Sequence, residues 1–337
     1  MKKSIISFWT LVLVAGLFFP GCDHDTDEFD GPGLVDRFGP LSITRDFTAN
    51  PGTVDFSAGE VVVFDAAFNK NINFQIEITG LESGAVKRIE AFGNELTAEN
   101  ATWDGGTTSL PFFKTEMCEA KLIILEDETL NQTASVEITG TKIYEGGLFT
   151  GFEENISPHV FFGNFEFEFT ASTGVVTGDG MAAEGDAYYF FEGTDDVVPN
   201  FFVGLVEYQP SLNGETYVTF PTTVPEELYF NCFIRGNGGP HVIAVVQFAY
   251  DTNDNGVFDD GTDALFQLQG DYPVDWTGWR HINHTMADMG MTEEDLSKIV
   301  TIRVLLISNM NTQPNPPVPV SFGLDFITFT AGQPLEL

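Results

Sequence analysis

Basic residues are scarce in this sequence: 14 Lys and Arg stand against 50 Asp and Glu, a formal net charge of −36 at pH 7. A surface this acidic repels phosphate backbones and anionic membranes, which excludes nucleic-acid binding and leaves neutral ligands, cations and basic partners. Cysteine is nearly absent, with three residues in 337. That excludes a disulfide-stapled scaffold, and no CxxC pair is present to suggest zinc or redox chemistry. Histidine is sparse too: besides His24 there are only His159, His241, His281 and His284, none beside a nucleophile motif. Neither GxSxG nor HExxH occurs, so the common hydrolase and metalloprotease signatures are missing. Helical periodicity is almost lacking, and the only long apolar run is at the N-terminus.

What is there begins with that run. Lys2 and Lys3 precede an apolar stretch from Ile5 to Phe19, followed by Pro20, Gly21 and Cys22. This is the charged and apolar order of an export signal, and it is too short to be a good spanning helix, which needs roughly 20 apolar residues. A small residue followed by cysteine resembles a lipoprotein signal, which implies cleavage before Cys22 and lipidation of its thiol. Phe19 and Pro20 depart from the usual lipobox, and an ordinary secretory signal with an incidental cysteine is the alternative. Loss of residues 1–21 removes two lysines and takes the net charge to −38. The next segment, 22–40, carries Asp23, Asp25, Asp27, Glu28 and Asp30 before a Gly/Pro stretch. Like charges and few apolar groups predict an extended tether. An acidic run after the lipidated cysteine also resembles the surface-export signal of Bacteroidetes-type lipoproteins, which implies an outer-membrane protein facing the medium.

The remaining length divides into about two domains. Alternation of period two predicts strands throughout. Ile72, Phe74, Ile76 and Ile78 alternate with polar residues, as do Ala134, Val136 and Ile138. With runs at 60–65, 85–92 and 117–125, about seven short strands fill 41–146, which predicts an immunoglobulin-like β-sandwich. After the glycine-rich segment Gly146–Gly151 a second strand set begins: Phe165, Phe167 and Phe169 share one face, and runs follow at 186–192, 200–207, 215–220, 227–235, 241–250, 264–270, 279–283, 299–307 and 320–330. This pattern over 147–337 predicts a β jelly roll. One helix is predicted over Met291–Ile299, capped by Thr292 with Asp295 reaching back. Cys118 alternates with Ala120, Leu122 and Ile124, and Cys232 with Phe230 and Ile234, so both thiols are predicted to face cores and to remain unpaired.

Four segments of the second domain carry a resemblance: GFEENI (Gly151–Ile156), GDGMAAEGDAYYFFEGTD (Gly178–Asp195), WTGWRHI (Trp276–Ile282) and GLDFITFT (Gly323–Thr330). In this order they resemble the galactose-binding-like jelly rolls of carbohydrate-binding modules and of Bacteroidetes surface glycan-binding lipoproteins. The resemblance implies that the first and last strands meet and that an acid from each can hold a structural calcium, here Glu153 or Glu154 with Asp325. Ordinary solvation of acids at strand ends is the alternative. A second calcium candidate comes from the residues themselves. Asp251, Asn253 and Asn255 followed by Gly256 reproduce the first half of an EF-hand-type loop. The twelfth position is Thr262 in place of the bidentate Glu, and Asp259 or Asp263 could substitute. A hairpin loop rich in Asp, Asn and Gly also forms without metal.

Strand alternation then locates a candidate binding face. If Leu228, Phe230, Cys232 and Ile234 face the core, Tyr229, Asn231, Phe233 and Arg235 lie on the opposite face. Likewise Phe266 and Leu268 inward leave Gln267 and Gln269 outward. The intervening strand is apolar on both faces, and its facing stays open. Aromatic planes beside amide and guanidinium forks suit the two kinds of surface that sugars present. Trp276 is expected at the edge of this face, with Trp279 in the core. The alternative is that the face packs beneath a neighbouring element. The expected function is non-catalytic polysaccharide or oligosaccharide binding at the cell surface, in company with a glycan-uptake outer-membrane complex, with membrane contact through the lipid anchor only. A calcium-dependent adhesion or surface-structure protein is the second reading. A jelly-roll glycoside hydrolase is the third, which the lack of a clustered acid motif disfavours.

Overall fold

The 19-residue strand Val62–Gly80 organises the first domain. Its even-numbered apolar residues, Val62, Phe64, Ala66, Phe68, Ile72, Phe74, Ile76 and Ile78, are all buried. The runs expected at 60–65 and 72–78 are therefore two halves of one strand, with the parity kept across polar Asn69–Asn71. The structure, a computed structural model, describes residues 39–153, 156–164, 170–194, 202–268, 273–308 and 319–337. The signal, Cys22 and the tether fall outside the described residues, as do Glu154, Phe165, Phe167, Phe169 and Gln269. Of Met1–Ser42, which clusters as its own unit, only residues 39–42 are described; Ile43–Leu337 is the other compact unit.

Both domains are β structure. In the first, the seven-stranded sheet runs Ile43–Asn50, Val62–Gly80, Met117–Ile124, Gln132–Gly140, Thr53–Asp55, with Val86–Leu96 and Thr102–Trp103 also paired to the long strand. It wraps an interior filled by the even face of that strand together with Trp103, Leu122, Ile124, Val136 and Ile138. The second domain is a jelly-roll sandwich of two antiparallel sheets. One is ordered Thr170–Thr177, Ala187–Thr194, Val320–Ala331, Leu228–Asn237, Thr277–Thr285, with Gly147–Thr150 pairing Val320–Ala331, so that first and last strands meet. The other is ordered Ala264–Leu268, Val242–Tyr250, Ile299–Ser308, Phe202–Tyr208, Val160–Asn164. Between them lies a core that includes Phe191, Val206, Phe230, Phe248, Val304, Phe322 and Phe329. Cys118 and Cys232 are both buried and free, and burial pushes the Cys118 thiol up to about 12, so neither is a reactive thiolate at neutral pH.

The predicted helix is one turn, Glu293–Leu296, closed by the expected capping box: Thr292 Oγ1 accepts from the Asp295 amide, and Asp295 accepts from the Thr292 amide at 2.7 Å. Leu296 is the only residue the turn buries. A third apolar cluster joins the two sandwiches. Phe112 of the first packs with Phe233, Phe326, Ala183 and Leu335 of the second, with Tyr144 stacked on Phe112 at 4.0 Å between ring centroids. The Phe112 amide donates to the Ala183 carbonyl at 2.8 Å, so backbone as well as side chains cross the junction.

Candidate functional site

That junction decides the fate of the predicted binding face. Tyr229, Asn231, Phe233 and Arg235 do lie opposite Leu228, Phe230, Cys232 and Ile234, as alternation requires. The face is covered, however: Asn231 and Phe233 are both 0% exposed, and Tyr229 and Arg235 are half-buried. Phe233 is stacked on Phe326 and meets the edge of Phe112, 5.3 and 5.2 Å between centroids. Asn231 is spent on the fold. Its Oδ1 accepts from the Leu335 amide at 3.0 Å and pairs with His281 Nε2 at 2.9 Å, while its Nδ2 donates to Thr330 Oγ1 at 3.1 Å. The expectation of an exposed platform is corrected because the first sandwich and the C-terminal segment occupy it. The tryptophans are likewise exchanged. Trp276 is 7% exposed within the jelly-roll core, donates to the Ile234 carbonyl at 3.3 Å, and is capped by the Arg280 guanidinium. Gly236 permits this, since a Cβ there would run into the Trp276 carbonyl. Trp279 is the half-buried one, donating to the Met181 carbonyl at 2.6 Å.

Gln267 belongs to a different surface, the outer face of the five-stranded sheet. Register brings one residue from each strand into a single row across it: Phe161 opposite Glu207, Glu207 opposite Arg303, Arg303 opposite Gln247, and Gln247 opposite Gln267. At about 4.8 Å per strand this row spans roughly 19 Å. Its members are tied in pairs. Gln247 Nε2 donates to Gln267 Oε1 at 2.7 Å, Arg303 Nε donates to Glu207 Oε2 at 2.6 Å, and Gln209 Nε2 donates to the other Glu207 oxygen at 3.3 Å. Phe161, at the end of the row, is 40% exposed. Beside the polar row runs an apolar one, Leu205, Leu305 and Val245, opposite one another in register and packed with Ile307 and Ile243. The open question of the Val242–Tyr250 strand is thus answered: both of its faces pack, and Gln247 is the one polar side chain on its outer side.

The loop of residues 251–263 serves this row. Its oxygens cap its own backbone: Asp251 accepts from the Asn253 and Gly256 amides, Asn253 from Asn255, Asn255 from Val257, and Asp263 from Thr252 and Asp259. Asp259 accepts from both the Asn253 and Asn255 side chains. Bonds to those amides hold the Asp263 carboxyl below its ordinary value. The loop so fixed lays Phe258 against the Arg303 guanidinium, 4.4 Å from the ring centroid, which holds the fork flat. Among the described residues the one hydrogen bond of the Arg303 guanidinium is that from Nε to Glu207.

The second set of calcium candidates sits where the terminal strands meet. Asp325 is 0% exposed, with Oδ2 accepting from the Ala183 and Glu184 amides at 2.9 and 3.0 Å and Oδ1 from Phe326 at 2.8 Å. Glu153 Oε1 accepts from the Asp186 and Ala187 amides, both at 2.8 Å. Between them lies Glu184, which sequence reasoning did not single out. Burial and then the Glu153 charge push its carboxyl up to about 7, and burial also raises Asp325. Bulky Phe152 and Phe326, each next to one of these acids, hold left-handed φ values of 61° and 43°. The donor set is all oxygen and its charges repel one another, which suits a hard cation in chemistry. Among the described residues, no group of three or more His, Cys, Asp or Glu is placed to hold one metal ion.

Arg303, Glu207 and Gln247 left a signal in the sequence that alternation alone does not use. Each is the one charged or amide residue in a mainly apolar strand, IVTIRVLLIS, FVGLVEY and VIAVVQFAY. A buried charge or amide must be paired, and here the partners lie on neighbouring strands.

No family model and no curated protein matches the chain. Among solved structures, the chain is similar to carbohydrate-binding modules of the β-sandwich superfamily, at 14% identity over 87% of this chain and 98% of that one, TM-score 0.37. It is similar to the family 11 carbohydrate-binding module of Clostridium thermocellum in complex with a β-1,3-1,4-mixed-linked tetrasaccharide, at 16% identity over 57% of this chain and 98% of that one, TM-score 0.33. A tandem of family 22 modules from Paenibacillus barcinonensis Xyn10C matches at 10% identity over 86% of this chain and 93% of that one, TM-score 0.32. Likeness this distant says nothing of what the chain binds.

Proposed function

We propose that the protein binds a neutral polysaccharide without cleaving it, through the outer face of the five-stranded sheet. The observation that carries this reading is the single row Phe161, Glu207, Arg303, Gln247 and Gln267, an aromatic, a flat guanidinium and two amides beside an apolar strip. Such a row offers stacking from Phe161 to CH faces and planar groups of Arg303 and Gln267 to hydroxyls, while the buried Gln247 amide holds Gln267 in place. Its length favours an internal stretch of polymer lying across the strands over a single sugar. A glycosidase of the retaining type needs two carboxyls about 5 Å apart. Glu207 is the only carboxylate of the row, and both its oxygens are engaged. No release of reducing ends is expected from any polysaccharide it binds. Phe161→Ala and Gln267→Ala are expected to weaken binding by about two- to tenfold each, the loss of one contact of about 0.5–1.5 kcal/mol. Phe161→Ala should not shift the melting curve much, whereas Gln267→Ala, which unpairs the buried Gln247 amide, should lower it modestly. Affinity electrophoresis across a panel of neutral polysaccharides measures this, and unchanged mobility of both variants on a bound polymer would exclude this face.

In this reading the protein is held at the outer membrane by lipidated Cys22, so that many weak sites act together on one polymer. Mass spectrometry of protein from native membranes is expected to find the chain starting at an acylated Cys22. An unmodified start beyond residue 22 would remove the anchor. Calcium is proposed as a structural ion, held by Glu153 and Asp325 or by the 251–263 loop. At free calcium about 100 times the dissociation constant one site contributes about 2.7 kcal/mol. Melting should then rise by roughly 5 to 10 °C. A melting curve indifferent to chelator would remove both sites.

A further inference from the structure

The first sandwich has a face of its own on which large side chains stand in solvent. Phe92 is 64% exposed and Leu125 is 63% exposed, although the sheet beneath them is closely packed. Register places them on either side of one residue: Phe92 is opposite Asn73, whose carbonyl accepts from the Leu125 amide at 3.5 Å. The next row of the same face is Glu90, Gln75 and Ile123. A depression of about 320 Å³ on this face is lined by Asn73, Phe74, Gln75, Glu90, Ala91 and Leu125, and Phe92, next in sequence to Ala91 and opposite Asn73, stands beside it. Asn73 is held in position by Glu126, whose Oε1 accepts from its backbone and side-chain nitrogens at 3.0 and 3.4 Å.

We propose that this face is a second sugar-binding site, separate from the row on the five-stranded sheet, and that it takes a neutral pyranose unit of a polysaccharide. The chemistry of the face decides the class of ligand: Leu125, two planar amides and a carboxylate line the depression, and the exposed Phe92 stands beside it. Size decides against a protein. A stable protein interface needs roughly 800 Å² on each side, which two exposed apolar side chains do not supply, whereas small-ligand sites begin at about 300 Å³. Charge decides against an anionic polymer, because Glu90 lines the depression and Glu126 is bonded to Asn73 at its edge, on a chain of net charge −36. Two sites in the compact unit Ile43–Leu337 would make capture of one polymer bivalent.

The test uses the full mature chain with Phe92→Ala and, as a second variant, Gln75→Ala. Titration calorimetry with oligosaccharides of the preferred neutral polysaccharide is expected to give two sites in the parent and one in Phe92→Ala. Affinity for the polymer should fall at least tenfold in Phe92→Ala, with the melting temperature unchanged because the side chain is exposed. One site in the parent that Phe92→Ala leaves intact, or two sites and parental polymer affinity in both variants, would overturn the proposal. Loss in Phe92→Ala with no effect of Phe161→Ala or Gln267→Ala would support this site while removing the one proposed above.

Discussion

Phe233→Ala is expected to destabilise the protein by about 3–5 kcal/mol, as much as Phe230→Ala, although the two side chains point to opposite faces of one strand. Phe230 fills the jelly-roll core, edge-on to Phe248 and Phe329, each at 5.6 Å. Phe233 fills the junction between sandwiches, where Phe326, Phe112 and the His281 ring surround it at 5.3, 5.2 and 5.6 Å. Removing either ring leaves a cavity that its rigid neighbours close only in part. Phe112→Ala opens the Phe233 cavity from the other sandwich, so the double variant should cost less than the sum of the two. Tyr229→Ala, on the same face but half-buried, should cost clearly less than Phe233→Ala. Denaturant melts of the four single variants and the double variant measure this. A Phe233→Ala protein as stable as the parent would mean that the sandwiches do not pack as described and that the face is free for ligand after all.

Glu184→Gln is expected to stabilise the calcium-free protein at pH 8 and to do little near pH 4.5. The Glu184 carboxyl is raised in the folded state from an ordinary 4.5 to about 7, by burial first and by Glu153 second. A raised carboxyl favours the protonated fold, so its contribution to stability is complete below about 4.5 and is lost as pH rises through about 7. At 1.36 kcal/mol per pKa unit the loss by pH 8 is on the order of 3 kcal/mol, and a neutral glutamine avoids it. Asp325, also raised by burial, works in the same direction. His281 works against them. Burial lowers it to about 4, so its contribution is complete above 6.5 and is lost as pH falls through about 4. The parent profile is the difference between these opposed trends, which is why the variant difference against pH is the quantity to measure, in chelator. If calcium neutralises this cluster, saturating calcium should cancel the advantage of Glu184→Gln at pH 8. A constant difference from pH 4.5 to 8 would mean that Glu184 is not held in a strained ionisation state.

The sequence by itself determined the class of fold, the inward face of nearly every strand, the buried unpaired cysteines and the capping box at Thr292. These follow from local rules: alternation of period two, turn residues between runs, and the reach of one side chain to a nearby amide. Even the corrected elements obey them, since Phe233 does oppose Phe230 and the 60–65 and 72–78 runs do share parity. What covers an outward face is a different question. Asn231 and Phe233 are buried by Phe112, 121 residues before Phe233, and by Leu335, 104 residues after Asn231, and no local pattern carries that information. The row from Phe161 to Gln267 was likewise decided only by the tertiary structure. It depends on four registers among strands scattered from residue 160 to 308, and a slip of one residue in any of them would turn that strand's contribution to the other face. Strand direction is written locally, whereas register and cover are set by packing across the whole chain.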